Sequence, residues 1–239
     1  MPEDTQLNDR CKHFELKQQK TNKSLDSQID LLMNLKRNTY KVCAIQELYI
    51  NQNGKTRANA QWITIYPSTH NLALKATRLV ILINTNILTN NWKQLHIEHL
   101  NITAVELTTS IGNIWLFNIY NDCKNNDSLD TIATYMKTNL TPRSIANPTH
   151  QVWLRDFNWH HPIWDEPQNF HLFTKHNLDL AQPLLNMLDE HKMKMALPLL
   201  IPTLQSHSTG NHTRTDNVFC NKDLLNYFIK CDTDDTSRW

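Results

Sequence analysis

Four stretches of the chain bring polar side chains to the end of an apolar run: Gln46-Glu47, Tyr120-Asn121, Asp156-Phe157-Asn158 and Thr215-Asp216. Short runs rich in aromatic and branched residues have the composition of buried strands. In α/β enzymes, polar groups at strand ends are where the protein meets its ligand. Glu47, Asp156 and Asp216 are hard oxygen donors with no thiolate beside them, a set that suits Mg²⁺ or Mn²⁺. Amide and phenol groups next to them can hydrogen-bond a phosphoryl oxygen where charge develops. These residue types point to phosphodiester hydrolysis.

Positioning these groups requires sheets. The apolar patterns predict strands at Phe14 to Gln19, Val42 to Ile45, Trp62 to Tyr66, Leu79 to Asn84, Ile102 to Leu107, Ile114 to Tyr120, Val152 to Asp156 and Thr215 to Cys220. Short edges are expected at Met195 to Leu197 and at Thr203-Leu204, with a further strand from Leu225 to Asp232. Ser110-Ile111-Gly112-Asn113 reads as a hairpin turn. A first helix, capped by Ser24 or Asp26, carries Leu25, Ile29, Leu32, Met33 and Leu35 and ends at Asn38-Thr39. Ser128 to Leu140 reads as a second helix, and Leu178 to His191 as a third with Pro183 marking its first turn. Strands and helices mix without a strict βαβ repeat. The expected fold is therefore α/β, a sandwich of two packed sheets with helices outside.

The 239 residues are enough for one large domain, expected over 14–239 behind a polar tail at 1–13. With 24 Lys+Arg against 23 Asp+Glu, bulk charge does not announce a nucleic-acid binder. The 5 cysteines are odd in number, scattered and free of C-x-x-C pairs, which favours a reducing intracellular setting. The N-terminus lacks the features of a secretory signal, and no apolar run approaches the length of a membrane span. Only 3 glycines occur, so tight turns needing a positive φ are expected to use Asn or Asp, and a Gly-rich phosphate loop is excluded.

Ala44-Ile45-Gln46-Glu47, Asn118-Ile119-Tyr120-Asn121, Asp156-Phe157-Asn158 and Arg214-Thr215-Asp216-Asn217-Val218-Phe219, in that order, resemble the endonuclease/exonuclease/phosphatase superfamily. The closer resemblance is to the endonuclease domain of non-long-terminal-repeat retrotransposons. There Asn22 to Asp26 and His160-His161-Pro162-Ile163-Trp164-Asp165 also find counterparts. The resemblance implies a four-layer sandwich of two packed mixed β-sheets flanked by helices, here without its last strand. It implies that Glu47 binds Mg²⁺ or Mn²⁺, Asp156 handles the attacking water and Asn158 holds the scissile phosphate. Tyr120 would donate to a nonbridging oxygen, Thr203 would contact DNA and Asp216 would orient a histidine. DNA is the implied partner, in the cytoplasm or nucleus, with a reverse transcriptase in a full-length parent element.

Three positions depart from that pattern. Lys20 stands where the family has a first-strand Asn, and Asn22 two residues on would share its face about 7 Å further along the strand. Arg155 replaces a glycine and is assigned to the DNA backbone, and no histidine follows His212 to complete an Asp-His pair. The expectation is a truncated or degenerate copy with weak or absent nicking. Its rivals are a noncatalytic nucleic-acid-binding remnant and a small-phosphoester phosphatase. His160, His161, His171 and His176 match no metal spacing and read as surface residues. Trp153 reads as core, while Trp159 and Trp164 remain open between packing and base stacking.

Overall fold

The computed structural model of the protein describes residues 15–121, 125–140, 148–156, 161–199, 201–205, 210 and 212–227. Phe14 and residues 228–232 of the expected strands, together with Asn158, Trp159 and His160, lie outside the described residues. Two packed mixed β-sheets flanked by helices make up the fold, an α/β architecture. By contacts the chain divides into two compact units, Met1–Asn118 with Leu140–Thr149, and Ile119–Asn139 with His150–Trp239.

The first unit runs β1 (Leu16–Lys20), α1 (Leu25–Asn34), β2 (Val42–Gln46), β3 (Trp62–Ile65), β4 (Leu79–Asn84), β5 (Trp92–Leu95), β6 (Ile102–Thr109) and most of β7 (Gly112–Tyr120). Its own sheet has the order β1-β2-β4-β3, with β1 parallel to β2 and the other pairs antiparallel. Every residue of β2 and β4 is buried, as expected of central strands covered on both faces. Because side chains alternate, Cys43 and Ile45 join Leu31 and Leu32 of α1, and Leu35 just beyond it, in one core with Trp62, Val80 and Leu82. Each such apolar side chain, fully buried, contributes roughly 1.5–3 kcal/mol. On the other face Gln46 Nε2 donates to Asn118 Oδ1 at 2.8 Å, while Asn118 Nδ2 donates to the carbonyls of Ile45 at 3.1 Å and Val80 at 2.9 Å. The buried Asn118 amide thus pins β7 to the first sheet at the level of the Gln46-Glu47 strand end.

The second unit contains α2 (Asp127–Asn139), nearly all of β8 (Thr149–Asp156), α3 (Lys175–Glu190), β9 (Met193–Met195), β10 (Leu204–Gln205), β11 (His212–Thr213), β12 (Asp216–Asn221) and α4 (Lys222–Leu225). β12 pairs antiparallel with both β8 and β9, and β10 with β11. The larger sheet has the order β5-β6-β7-β8-β12-β9. α3 packs on β9 and against α2, and α4 packs on β12.

Several expectations change. α1 stops at Asn34 rather than Asn38-Thr39, because Leu35 turns out of helical geometry (ψ 89°) to reach the core, where it is 3% exposed. Asn22 does not continue the first strand: β1 ends at Lys20, and Asn22 and Lys23 adopt left-handed φ values of 49° and 58°. α3 begins at Lys175, with Thr174 Oγ1 capping Asn177 N at 3.2 Å, so Pro183 lies inside the helix rather than in its first turn. Leu225 ends the short α4 instead of opening a strand. β5 escapes the apolar pattern because its centre is Lys93-Gln94. It is an edge strand, and Lys93 Nζ lies 3.1 Å from Glu106 Oε1 on β6, a charged edge of the kind that discourages further pairing.

Candidate functional site

In the first unit the parallel register puts Lys20 opposite Gln46, and the chain ends there are tied together. Thr21 N donates to the Gln46 carbonyl at 3.1 Å, and the Glu47 carbonyl accepts from Thr21 Oγ1 at 3.0 Å and from Lys23 N at 2.5 Å. Glu47 itself has φ 47°, which joins Asn22 and Lys23 as a third left-handed non-glycine residue at one point. Such a conformation costs roughly 1–2 kcal/mol per residue and persists where surrounding bonds impose it, most often at functional positions. The scarcity of glycine led to Asn or Asp being expected here. Asn22 obeys, whereas Lys23, Glu47 and Lys192 do not. Glu47 is half-buried, and Asn22 is exposed beside it in sequence contact with the Lys23 amide that holds Glu47.

In the second unit β8 and β12 run antiparallel with Asp156 directly opposite Asp216. Residues so paired share a face with Cβ atoms about 4.5–5.5 Å apart, where two like charges repel unless a proton or a positive charge lies between them. Asp156 is 3% exposed and Asp216 half-buried. The Asp156 carbonyl accepts from Asn121 N at 3.1 Å, and Asn121 Oδ1 accepts from Ser128 Oγ at 3.0 Å in the first turn of α2. Tyr120, just before Asn121, is buried at 8% exposure. Thr203 Oγ1 accepts from two successive amides, Thr215 N at 3.1 Å and Asp216 N at 3.0 Å. The hydroxyl assigned from the sequence to DNA therefore also fixes the backbone that carries Asp216.

The second unit thus brings together Tyr120, Asp156, Thr203 and Asp216, while Glu47 and Asn22 stand together in the first unit. Asn158 lies outside the described residues, and Arg155 is placed only by its backbone, opposite Asn217.

Two supporting residues were not assigned such roles from the sequence. Arg214 is 1% exposed: its Nε donates to Asn217 Oδ1 at 2.7 Å, and its terminal nitrogens donate to the carbonyls of Leu197, at 3.0 Å, and Pro198. Asp165, 4% exposed, accepts from Glu166 N at 2.8 Å, Asn169 Nδ2 at 2.6 Å and Arg214 N at 3.3 Å. Together they lock the segment that leads into Asp216. Trp164 is 0% exposed and packs edge-on against Phe219, which settles it as core, as it does Trp153. His161 packs on Trp164, and burial holds its imidazole below its ordinary pKa.

A divalent metal is judged by its donors. Among the described residues no group of three or more His, Cys, Asp or Glu side chains could hold an ion. One or two carboxylates with water completing the shell fit Mg²⁺, which keeps its waters, better than a protein-caged transition metal. No helix among the described residues is long and apolar enough to cross a membrane.

A family model described as endonuclease–reverse transcriptase matches residues 114–238, a little over half of the chain. No curated protein matches the sequence. Among solved structures, the endonuclease domain of TRAS1, a telomere-specific non-LTR retrotransposon, is similar at 15% identity and TM-score 0.61, covering 90% of this chain and 88% of that one. The 3′ phosphatase NExo from Neisseria, bound to a product DNA hairpin, is similar at 14% identity and TM-score 0.56, over 90% of this chain and 89% of that one. The Xenopus laevis APE2 catalytic domain is similar at 13% identity and TM-score 0.53, over 88% and 83%. At these identities the likeness is one of fold, that of the endonuclease/exonuclease/phosphatase superfamily.

Proposed function

The chain belongs to the endonuclease–reverse transcriptase family, and from that membership we propose that it hydrolyses phosphodiester bonds in DNA with the aid of Mg²⁺ or Mn²⁺. The observation that carries this reading is the pairing of Asp156 with Asp216 across β8 and β12, with the backbone of each fixed by Asn121 and Thr203. Two carboxylates held face to face on an immobile frame suit proton handling at a water rather than mere solvation. Asp156 takes the proton of the attacking water, Asn158 and Tyr120 hold nonbridging phosphate oxygens, and Asp216 faces Asp156 as the carboxylate to which the resemblance gives the orienting of a histidine. Glu47, an oxygen donor on a pinned left-handed turn, would hold the divalent ion, which when bound supplies Lewis-acid stabilisation of the phosphate charge. Asn22, Thr203 and Arg155 contact the DNA.

The reading extends to a retroelement, with a reverse transcriptase acting on the same DNA inside the cell.

Supercoiled plasmid incubated with Mg²⁺ tests it. Conversion to the nicked form is expected, stopped by chelation and reduced about 100-fold or more by Asp156→Asn. Salt-dependent DNA binding without metal-dependent nicking, or hydrolysis of a small phosphoester with plasmid left intact, would sink it.

A further inference from the structure

A groove of about 670 Å³ opens in the first unit at the carboxyl end of α1, between that helix end and the loop before β3. It is remote from Glu47. Lys23, at the start of α1, bonds Glu47, whereas Leu35 to Thr39 line the groove beyond the helix's other end. Ten helical residues at 1.5 Å each span about 15 Å, and the five residues of β2 that separate the same two ends span about 17 Å.

The chemistry of its wall selects a ligand. Leu32 and Leu35 form the floor but are already committed to the core, at 8% and 3% exposure. Apart from exposed Met33 and half-buried Ile29 on the helix side, what remains accessible is cationic and amide: Lys36, Arg37 and Arg57, with Asn38, Asn59 and Gln61. No carboxylate lines the groove, and among the described residues none of the three cations is engaged in an ion pair. Both arginines stand on fixed backbone. The Arg37 carbonyl accepts from buried Asn84 Nδ2 at 2.6 Å, and its guanidinium donates to Asn86 Oδ1; the Arg57 carbonyl accepts from buried Gln28 Nε2 at 2.6 Å.

Three unneutralised cations on pre-ordered backbone, interleaved with three amides, suit a ligand that carries regularly spaced anions and hydrogen-bonding edges. A helical peptide docks through apolar anchors spread over two helical turns, and here only Met33 and half-buried Ile29 offer apolar contact, since Leu32 and Leu35 are covered. The volume lies within the roughly 300–1,000 Å³ range of pockets that enclose a small ligand, too confined for a duplex. We propose that this groove binds a single-stranded phosphodiester segment, DNA or RNA, at a site separate from the strand ends that carry Glu47. The assignment stands on the groove alone and does not require the chain to cleave anything.

The test measures fluorescence anisotropy of labelled oligothymidylate and oligouridylate in EDTA, with parent protein and with Lys36→Gln, Arg37→Gln and Arg57→Gln combined. A control neutralises the exposed Lys75, Lys175 and Lys222 to Gln, which changes net charge equally. Circular dichroism checks that all three proteins are folded. The groove variant should bind about tenfold more weakly and lose about 2 from the slope of log affinity against log salt, near 0.7 for each phosphate contact on a single strand. The control should change little. The ratio of the two affinities distinguishes DNA from RNA as the preferred strand. Binding by the groove variant within twofold of the parent, or an equal loss in the control, overturns the proposal. So does oligoglutamate displacing the probe at a lower concentration than unlabelled oligothymidylate, which would reassign the groove to an acidic protein.

Discussion

The Thr203 hydroxyl accepts hydrogen bonds from the amides of Thr215 and Asp216, so a side chain of the same shape without the oxygen leaves two main-chain donors stranded where β12 begins. Each buried donor left unpaired costs about 1–3 kcal/mol. Thr203→Val is expected to lower unfolding stability by about 2 kcal/mol and to reduce nicking, with Thr203→Ser restoring both; denaturant titration and the plasmid assay measure them. Restored stability without restored nicking would show that the methyl group matters and the frame does not. The placement of Glu47, Asp156 and Asp216 at strand ends was legible in the sequence because each follows, closes or opens an apolar run. Arg214 and Asp165 were not given their supporting roles, because a buried charge bonded to backbone carbonyls and amides is written with the same letters as a solvated one. Only burial tells them apart, and burial depends on what the rest of the chain brings to that point.

Among the elements, α3 carries a contradiction within its own sequence. Pro183 lies in the helix interior, where it removes one main-chain hydrogen bond and presses on the preceding turn. Pro183→Ala should raise stability by up to about 3 kcal/mol in thermal or denaturant unfolding, and no gain would mean that a bend at that residue is required for packing. The segment between β2 and β4, which carries β3, has its own control. Within it His70 stacks on Tyr66 at 4.2 Å, and its Nδ1 bonds Thr77 Oγ1 at 2.6 Å. Burial, outweighing a Gly54 backbone bond, holds the His70 pKa below 6.5. Above that pH the ring is neutral whether the loop is closed or open. As pH falls through 6.5, the open form takes up a proton that the closed form resists, so closure weakens towards the lowered value. Hydrogen exchange over residues 48–78, corrected for intrinsic rates, should therefore quicken between pH 7.5 and 5.5, and His70→Gln should flatten the change.

Central strands were the readable elements: β2 and β4 are nearly continuous apolar runs covered on both faces, and β6 and β7 are largely apolar, broken by a few polar residues such as Glu106 and Asn118. The short edge expected at Thr203-Leu204 is found one residue on, as β10, but β5 and the two-residue β11 were not legible, since an edge takes its identity from its neighbour's unpaired backbone rather than from its own side chains.

At the scale of the molecule, sheet order and the pairing of distant strands decide which strand ends become neighbours. The apolar patterns alone gave two sheets and helices, but not that Asp156 would face Asp216 or that Lys20 would lie opposite Gln46. The buried Cys43 thiol, pushed up to about 12, is inert, so alkylating reagents are expected to leave the first unit's core untouched. The left-handed cluster of Asn22, Lys23 and Glu47 has a different bearing on the whole. Backbone that is held against its preference by a few bonds is the first to let go on warming, well before the apolar core that β2 shares with α1. The protein should therefore lose its response to Mg²⁺ at a lower temperature than it loses its near-ultraviolet dichroism. Its useful working range would then be set by one turn of chain rather than by the melting of the fold.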